Sequence, residues 1–272
     1  MKKTILRGLV AVSLLLPVSI MAEMSAEEIA KASQNPLTAM YSLPIQNNTY
    51  FDIGDNNKVK NVANIQPVLP FDLNDEWTVV TRTVIPVISN PEINSHPYER
   101  TFGLGDTVFT AFFTPKADLD GWTWGVGPSF YIPTATDDSL GTKKWGGGLS
   151  AVALKSSGKL VYGALLSNVW SFAGSGQDAG YERVNALTFQ PFVNYNLEDG
   201  WFVSSVPIIT ANWEADSDHT WTVPMGLGVG KAMKIGKLPI SAQIHAYYNI
   251  ETPDDYGERW QTRVQVQAFF PR

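Results

Sequence analysis

Residues 260–270 alternate without a break. Trp260, Thr262, Val264, Val266, Ala268 and Phe270 fall on one side, and Gln261, Arg263, Gln265 and Gln267 on the other. Successive side chains point to opposite faces in a β-strand, so this segment reads as a strand with one apolar and one polar face. The segment before it repeats the design. Ile240, Ala242, Ile244, Ala246, Tyr248 and Ile250 alternate with Ser241, Gln243, His245, Tyr247 and Asn249. Strands in soluble sandwiches usually run five or six residues. Alternation over about ten residues matches a tilted strand that crosses a bilayer.

The same period-two pattern places further strands near 38–51, 60–71, 76–88, 102–114, 121–133, 145–155, 159–171, 183–196, 201–212 and 220–233. With the two above, the chain is expected to form an all-β, antiparallel up-and-down transmembrane β-barrel of about 12 strands, an even number as single-chain bacterial barrels require. Two segments are less clean. In 76–88, Arg82 stands between Val80 and Val84, so the faces are not assignable there, and 201–212 is apolar on both sides in part.

The connections sort by length. Tight turns are expected at Asn74-Asp75, Ser156-Ser157-Gly158, Leu197-Glu198-Asp199-Gly200 and Ile235-Gly236, where Asn, Asp, Ser and Gly cluster. Longer polar loops lie near 89–101, 134–144, 172–182, 213–219 and 251–258, and the 115–120 connection blurs the contrast slightly. Turns at one end and loops at the other are the layout of outer-membrane barrels. All nine Trp lie near expected strand ends, where amphipathic rings suit the two membrane interfaces.

The N-terminus reads as an export signal over residues 1–22. Lys2, Lys3 and Arg7 precede an uncharged apolar stretch from Gly8 to Met21, and Ala22 offers a small residue for cleavage before Glu23. The stretch is shorter than the ~20 residues of a membrane-spanning helix. Residues 23–36 are expected to form a tail or short helix, a trailing tail being favoured over a plug, and residues 37–272 the barrel. Localisation is therefore expected in the outer membrane of a Gram-negative-type bacterium, with outer-membrane lipid as the surrounding partner.

Composition removes several chemistries. There is no cysteine, so disulfides, thiolate metal sites and thiol nucleophiles are out. The net charge of −6 gives no basic stripe for nucleic acid. Charged residues make up 17% of the chain, below the roughly 25% of soluble domains. Of three histidines, His96 and His219 fall in loops and His245 on an inward face, so no catalytic residue is assigned. The GLGVGK run at 226–231 has Met225 where a phosphate loop needs its first Gly, and reads as room for close packing. The pairs Asp137-Asp138, Asp216 with Asp218, and Asp254-Asp255 read as solvated loop charge. No metal or other cofactor is expected.

Twelve strands ~4.8 Å apart and tilted ~40° enclose a backbone diameter of roughly 24 Å, leaving a lumen of about 10 Å once side chains are placed. The residues expected to line it are Gln190, Asn194, Gln243, His245, Tyr247, Arg263, Gln265 and Gln267. Amides and Tyr hydrogen-bond passing solutes, and Arg263 favours anions. The leading expectation is a passive channel or uptake porin for small solutes. The alternative is a non-conducting structural or surface-binding barrel with a filled lumen. An embedded enzyme has little support in the sequence, and oligomeric state is left open.

The phrases LPIQNN (43–48), NIQPVLPFDLNDEW (64–77), GLGDT (103–107), WGVGPSFYIPTATDD (124–138), ALKSSG (153–158), WSFAG (170–174), LTFQPFVNY (187–195) and WTVPMGLGVGK (221–231) resemble a family of outer-membrane transporter-like barrels grouped under the name MetA-pathway of phenol degradation. The resemblance spans nearly all of the chain after the signal. It implies an outer-membrane barrel and uptake of small compounds, aromatic or apolar ones among them, and carries no catalytic residue. The chain departs from the common terminal aromatic of such barrels, since Pro271 and Arg272 follow Phe270.

Overall fold

The computed structural model describes residues 24–54, 56–91, 100–174 and 183–271; the expected signal peptide and His96 lie outside them. Twelve antiparallel strands follow one another around a closed barrel. They are β1 (Tyr41–Ile53), β2 (Lys58–Ile65 continued by Val68–Asp72), β3 (Trp77–Pro91), β4 (Arg100–Leu104 continued by Thr107–Pro115), β5 (Trp122–Ile132) and β6 (Lys144–Ser157). The second half comprises β7 (Leu160–Gly174), β8 (Asn185–Asn196), β9 (Trp201–Ser205 continued by Ile209–Asn212), β10 (Trp221–Ile235), β11 (Leu238–Glu251) and β12 (Trp260–Phe270). Each strand pairs with its neighbours in sequence, and β12 closes on β1 from Tyr41↔Phe270 to Phe51↔Trp260. Closure leaves no open edge, which an apolar solvent demands because it cannot satisfy free backbone groups.

The two-residue period sets the faces. Ile244, Val264, Val266, Leu227 and Leu149 point outward and are exposed, while Ser241, His245, Gln261, Arg263 and Gln267 point inward and are buried. A polar side chain on the outer wall finds its partner there. Asn47 Nδ2 donates to Asn61 Oδ1 at 2.9 Å, and Asn61 Nδ2 donates to Thr49 Oγ1 at 2.9 Å. The tryptophans form two girdles. Trp77, Trp122, Trp124 and Trp201 stand at the end of the tight turns, and Trp145, Trp170, Trp213, Trp221 and Trp260 at the loop end. Trp77 and Trp124 meet edge to face at 6.1 Å, as do Trp213 and Trp221 at 5.3 Å.

Three strands are interrupted, and two of the breaks contain a proline, which cannot donate to a ladder. Gln66-Pro67 interrupts β2, and Val206-Pro207-Ile208 interrupts β9. The third break, Gly105-Asp106, forms an anchor. Asp106 accepts from the backbone N–H groups of Ala135 (3.1 Å) and Thr142 (2.6 Å), tying the loop after β5 to the wall. Leu140 of that loop is buried close to Gly103 and Gly105.

Helix α1 (Ala26–Ser33) is short, with a complete capping box: Glu28 N–H donates to Ser25 Oγ, and Ser25 N–H donates to Glu28 Oε2. It enters the turn end of the barrel and does not trail from it. Ile29 and Ala30 pack with Phe202, Ala232 and Phe269, inward residues of β9, β10 and β12. The chain then crosses the lumen. Gln34 exchanges two hydrogen bonds with Asn196, at 2.8 and 3.1 Å, and Leu37 is buried among Val68, Val80, Phe112, Val152 and Leu165 on the opposite wall.

The cap makes the seating of α1 pH-dependent. The hydrogen bonds from the Ser25 backbone and then its hydroxyl hold the Glu28 carboxyl below its ordinary value of 4.5. A depressed acid stabilises above its ordinary value, and this contribution is lost as pH falls through the lowered one. Amides of 26–33 should therefore lose protection in hydrogen exchange at pH 3 relative to pH 7, after correction for intrinsic rate. Ser25→Ala should cost about 1 kcal/mol and produce the same loss at pH 7. Unchanged protection in both cases would separate the cap from the docking of the helix.

Candidate functional site

The interior divides into two walls. One, from β2 to β7, carries the apolar cluster that receives Leu37, beside a buried hydroxyl row of Thr110, Ser129 and Ser150. The polar wall is built by β1, β8, β11 and β12, with Arg82 of β3 reaching toward it. Between that wall and the crossing segment 33–38 lies a cavity of about 120 Å³, enough for several waters. Gln190, Asn194, Gln243, His245, Arg263, Gln265 and Gln267 all line it. Tyr247 stands outside the cavity lining, fully buried, its ring nearly parallel to that of His245 at 5.6 Å.

Arg263 is the most constrained of these groups. It is 2% exposed. Its Nε donates to Asn48 Oδ1 at 3.0 Å, and its Nη1 donates to the carbonyl of Val206 at 2.8 Å. That carbonyl is free because the β9 ladder is interrupted at Pro207. The guanidinium carbon lies 5.0 Å from the centre of the Tyr247 ring, a cation–π contact. Asn48 Oδ1 also accepts from the amides of Gln46 and Gln261, both at 3.2 Å, so one oxygen gathers three donors. Nη2 of Arg263 is buried without a partner among the described residues.

Sequence reasoning missed Arg82, Gln66, Gln46, Asn48 and Ser204. Arg82 points inward and donates through Nη2 to Gln66 Oε1 at 2.6 Å, and Gln66 is presented by the break in β2. Its face was illegible because inward Val80 and outward Val79 are both apolar. Gln46 was obscured by the Asn47-Asn48 pair beside it, which places polar residues on both faces of β1.

His245 Nε2 lies 2.8 Å from Ser204 Oγ. This is the distance of an activated nucleophile, but hydrolytic triads orient the imidazole through its other nitrogen. Nδ1 of His245 has no partner among the described residues, and the pair faces the lumen. The arrangement fixes the ring against Tyr247 and Gly228. A Cβ on Gly228 would stand 2.4 Å from His245 Cδ2, so the glycines of GLGVGK make room for inner-wall rings.

Fold and lumen together define a class: a closed transmembrane-type β-barrel whose interior is crossed by its own N-terminal segment. In fold the chain is similar to the COG4313 outer membrane channel from Pseudomonas putida F1, with a TM-score of 0.65, 14% identity, and coverage of 85% of this chain and 96% of that one. It is also similar to the NanC porin, with a TM-score of 0.53, 11% identity, and coverage of 85% and 100%. No protein-family model matches the chain, and no curated protein is similar to it at a significant level. The barrel architecture thus stands, while the phenol-degradation family name finds no matching model.

Proposed function

We propose that this protein is an outer-membrane channel for small solutes, without enzymatic activity, whose lumen is narrowed by residues 24–40. The observation that carries the reading is the polar inner wall around the cavity, where amides, His245 and Arg263 converge on one space. A barrel that served only as a lipid anchor has no need for a polar-lined cavity beside its crossing segment. Two barrels of similar fold, an outer membrane channel and a porin, favour the same reading. By the usual sorting of turns and loops, the N-terminal segment occupies the periplasmic end.

The test is single-channel recording of detergent-folded protein in a planar bilayer. Discrete steps are expected, with a preference for anions that Arg263→Gln reduces, because few charges set the field in the lumen. A second reading, a filled and non-conducting barrel, is favoured by the burial of Ile29 and Leu37 on opposite walls. Silence from inserted protein, both whole and lacking the crossing segment, would decide for it.

A further inference from the structure

Two guanidinium groups share the cavity, and no carboxylate does. Arg82 and Arg263 both line it, and no Asp or Glu is among its described lining residues. Neither arginine belongs to an ion pair among the described residues. Arg82 is held by one amide oxygen, and Arg263 by Asn48 and the Val206 carbonyl, all of them neutral. A buried charge is ordinarily paired, because neutral acceptors replace only part of its lost hydration. Here the third guanidinium nitrogen is spare as well: Arg263 Nη2 is buried with no partner among the described residues, in a side chain 2% exposed. Arginine forks match the two oxygens of a carboxylate.

The remainder of the cavity says what the anion carries. Val68 of β2 and Leu165 of β7 line it from the other wall, and Phe192 of β8 and Val206 add further apolar surface. A bare inorganic anion would leave that side facing nothing but water. We infer that the cavity is a binding site for a small organic carboxylate, its charge at Arg82 and Arg263 and its apolar body toward Val68, Leu165 and Phe192. This deepens the reading of the lumen as a solute route and rests on it for its purpose, but binding is measurable without conduction.

The experiment is calorimetric titration of the whole, detergent-folded protein with benzoate, with benzyl alcohol as the uncharged counterpart and with chloride and inorganic phosphate. Saturable benzoate binding is expected, at least roughly tenfold tighter than benzyl alcohol, as charge-assisted pairing with Arg requires. Arg263→Gln and, separately, Arg82→Gln should each weaken benzoate without altering benzyl alcohol, in protein shown to be folded by its β-sheet circular dichroism. Equal affinity for benzoate and benzyl alcohol in the unmodified protein would overturn the proposal, and that comparison needs no variant. Binding of chloride or phosphate with none of benzoate would overturn the organic class. Benzoate binding by a protein that proves silent in the bilayer would uphold the site and sink the channel.

Discussion

Removal of residues 24–38, leaving the export signal in place, should convert the barrel into a wide, steadily open pore. Those residues supply Ile29 and Ala30 to one wall, Gln34 to Asn196, and Leu37 to the other wall. Nothing else among the described residues crosses the turn end. The barrel wall does not depend on the segment, because every strand is paired on both sides without it. The emptied lumen should approach the roughly 10 Å that twelve tilted strands enclose. Conductance should rise several-fold over the whole protein, lose its discrimination between ions, and become insensitive to the pH at which the Glu28 cap fails. Equal conductance with and without the segment would place the constriction elsewhere, with the Asp106-anchored loop at the opposite end as the next place to look.

The second large effect concerns assembly. Gly228→Val should sharply lower the yield of folded barrel. A Cβ at that position would stand 2.2 Å from the Ile244 carbonyl oxygen and 2.4–2.5 Å from the His245 ring. The oxygen belongs to the paired strand and cannot retreat without breaking the β10–β11 ladder, where Gly228 faces His245. The ring has no alternative position, since Tyr247 lies against it and Ser204 holds its Nε2. Overpacking of this kind costs roughly 3 kcal/mol. The readout is the fraction of protein that keeps the compact, heat-modifiable form on a denaturing gel. His245→Ala should relieve part of the defect in the double variant, since it removes the ring but not the backbone contact. Full folding of Gly228→Val alone would mean that β10 shifts to accommodate it.

How much of this was readable in advance follows from the range of the forces involved. Strand alternation is local: Val264 and Val266 must meet lipid while Arg263 and Gln265 face inward, and a single strand records that choice. Strand number, faces of β11 and β12, sorted loops and Trp girdles are all legible for this reason. Where both faces carry apolar residues the record is ambiguous, and the structure supplies the cause. Val80 and Phe202 point inward because Leu37 and Ile29 pack against them, so the wall that receives the crossing segment resembles the wall that meets lipid.

The sequence by itself determined that this chain must be a sheet with a dry side and a wet side. Only the tertiary structure decided what occupies the wet side. The contact of Gln34 with Asn196 spans 162 residues, and Arg263 reaches Asn48 across 215. Side chains that far apart are brought together by closure of the barrel, and no local period encodes which of them will share a cavity.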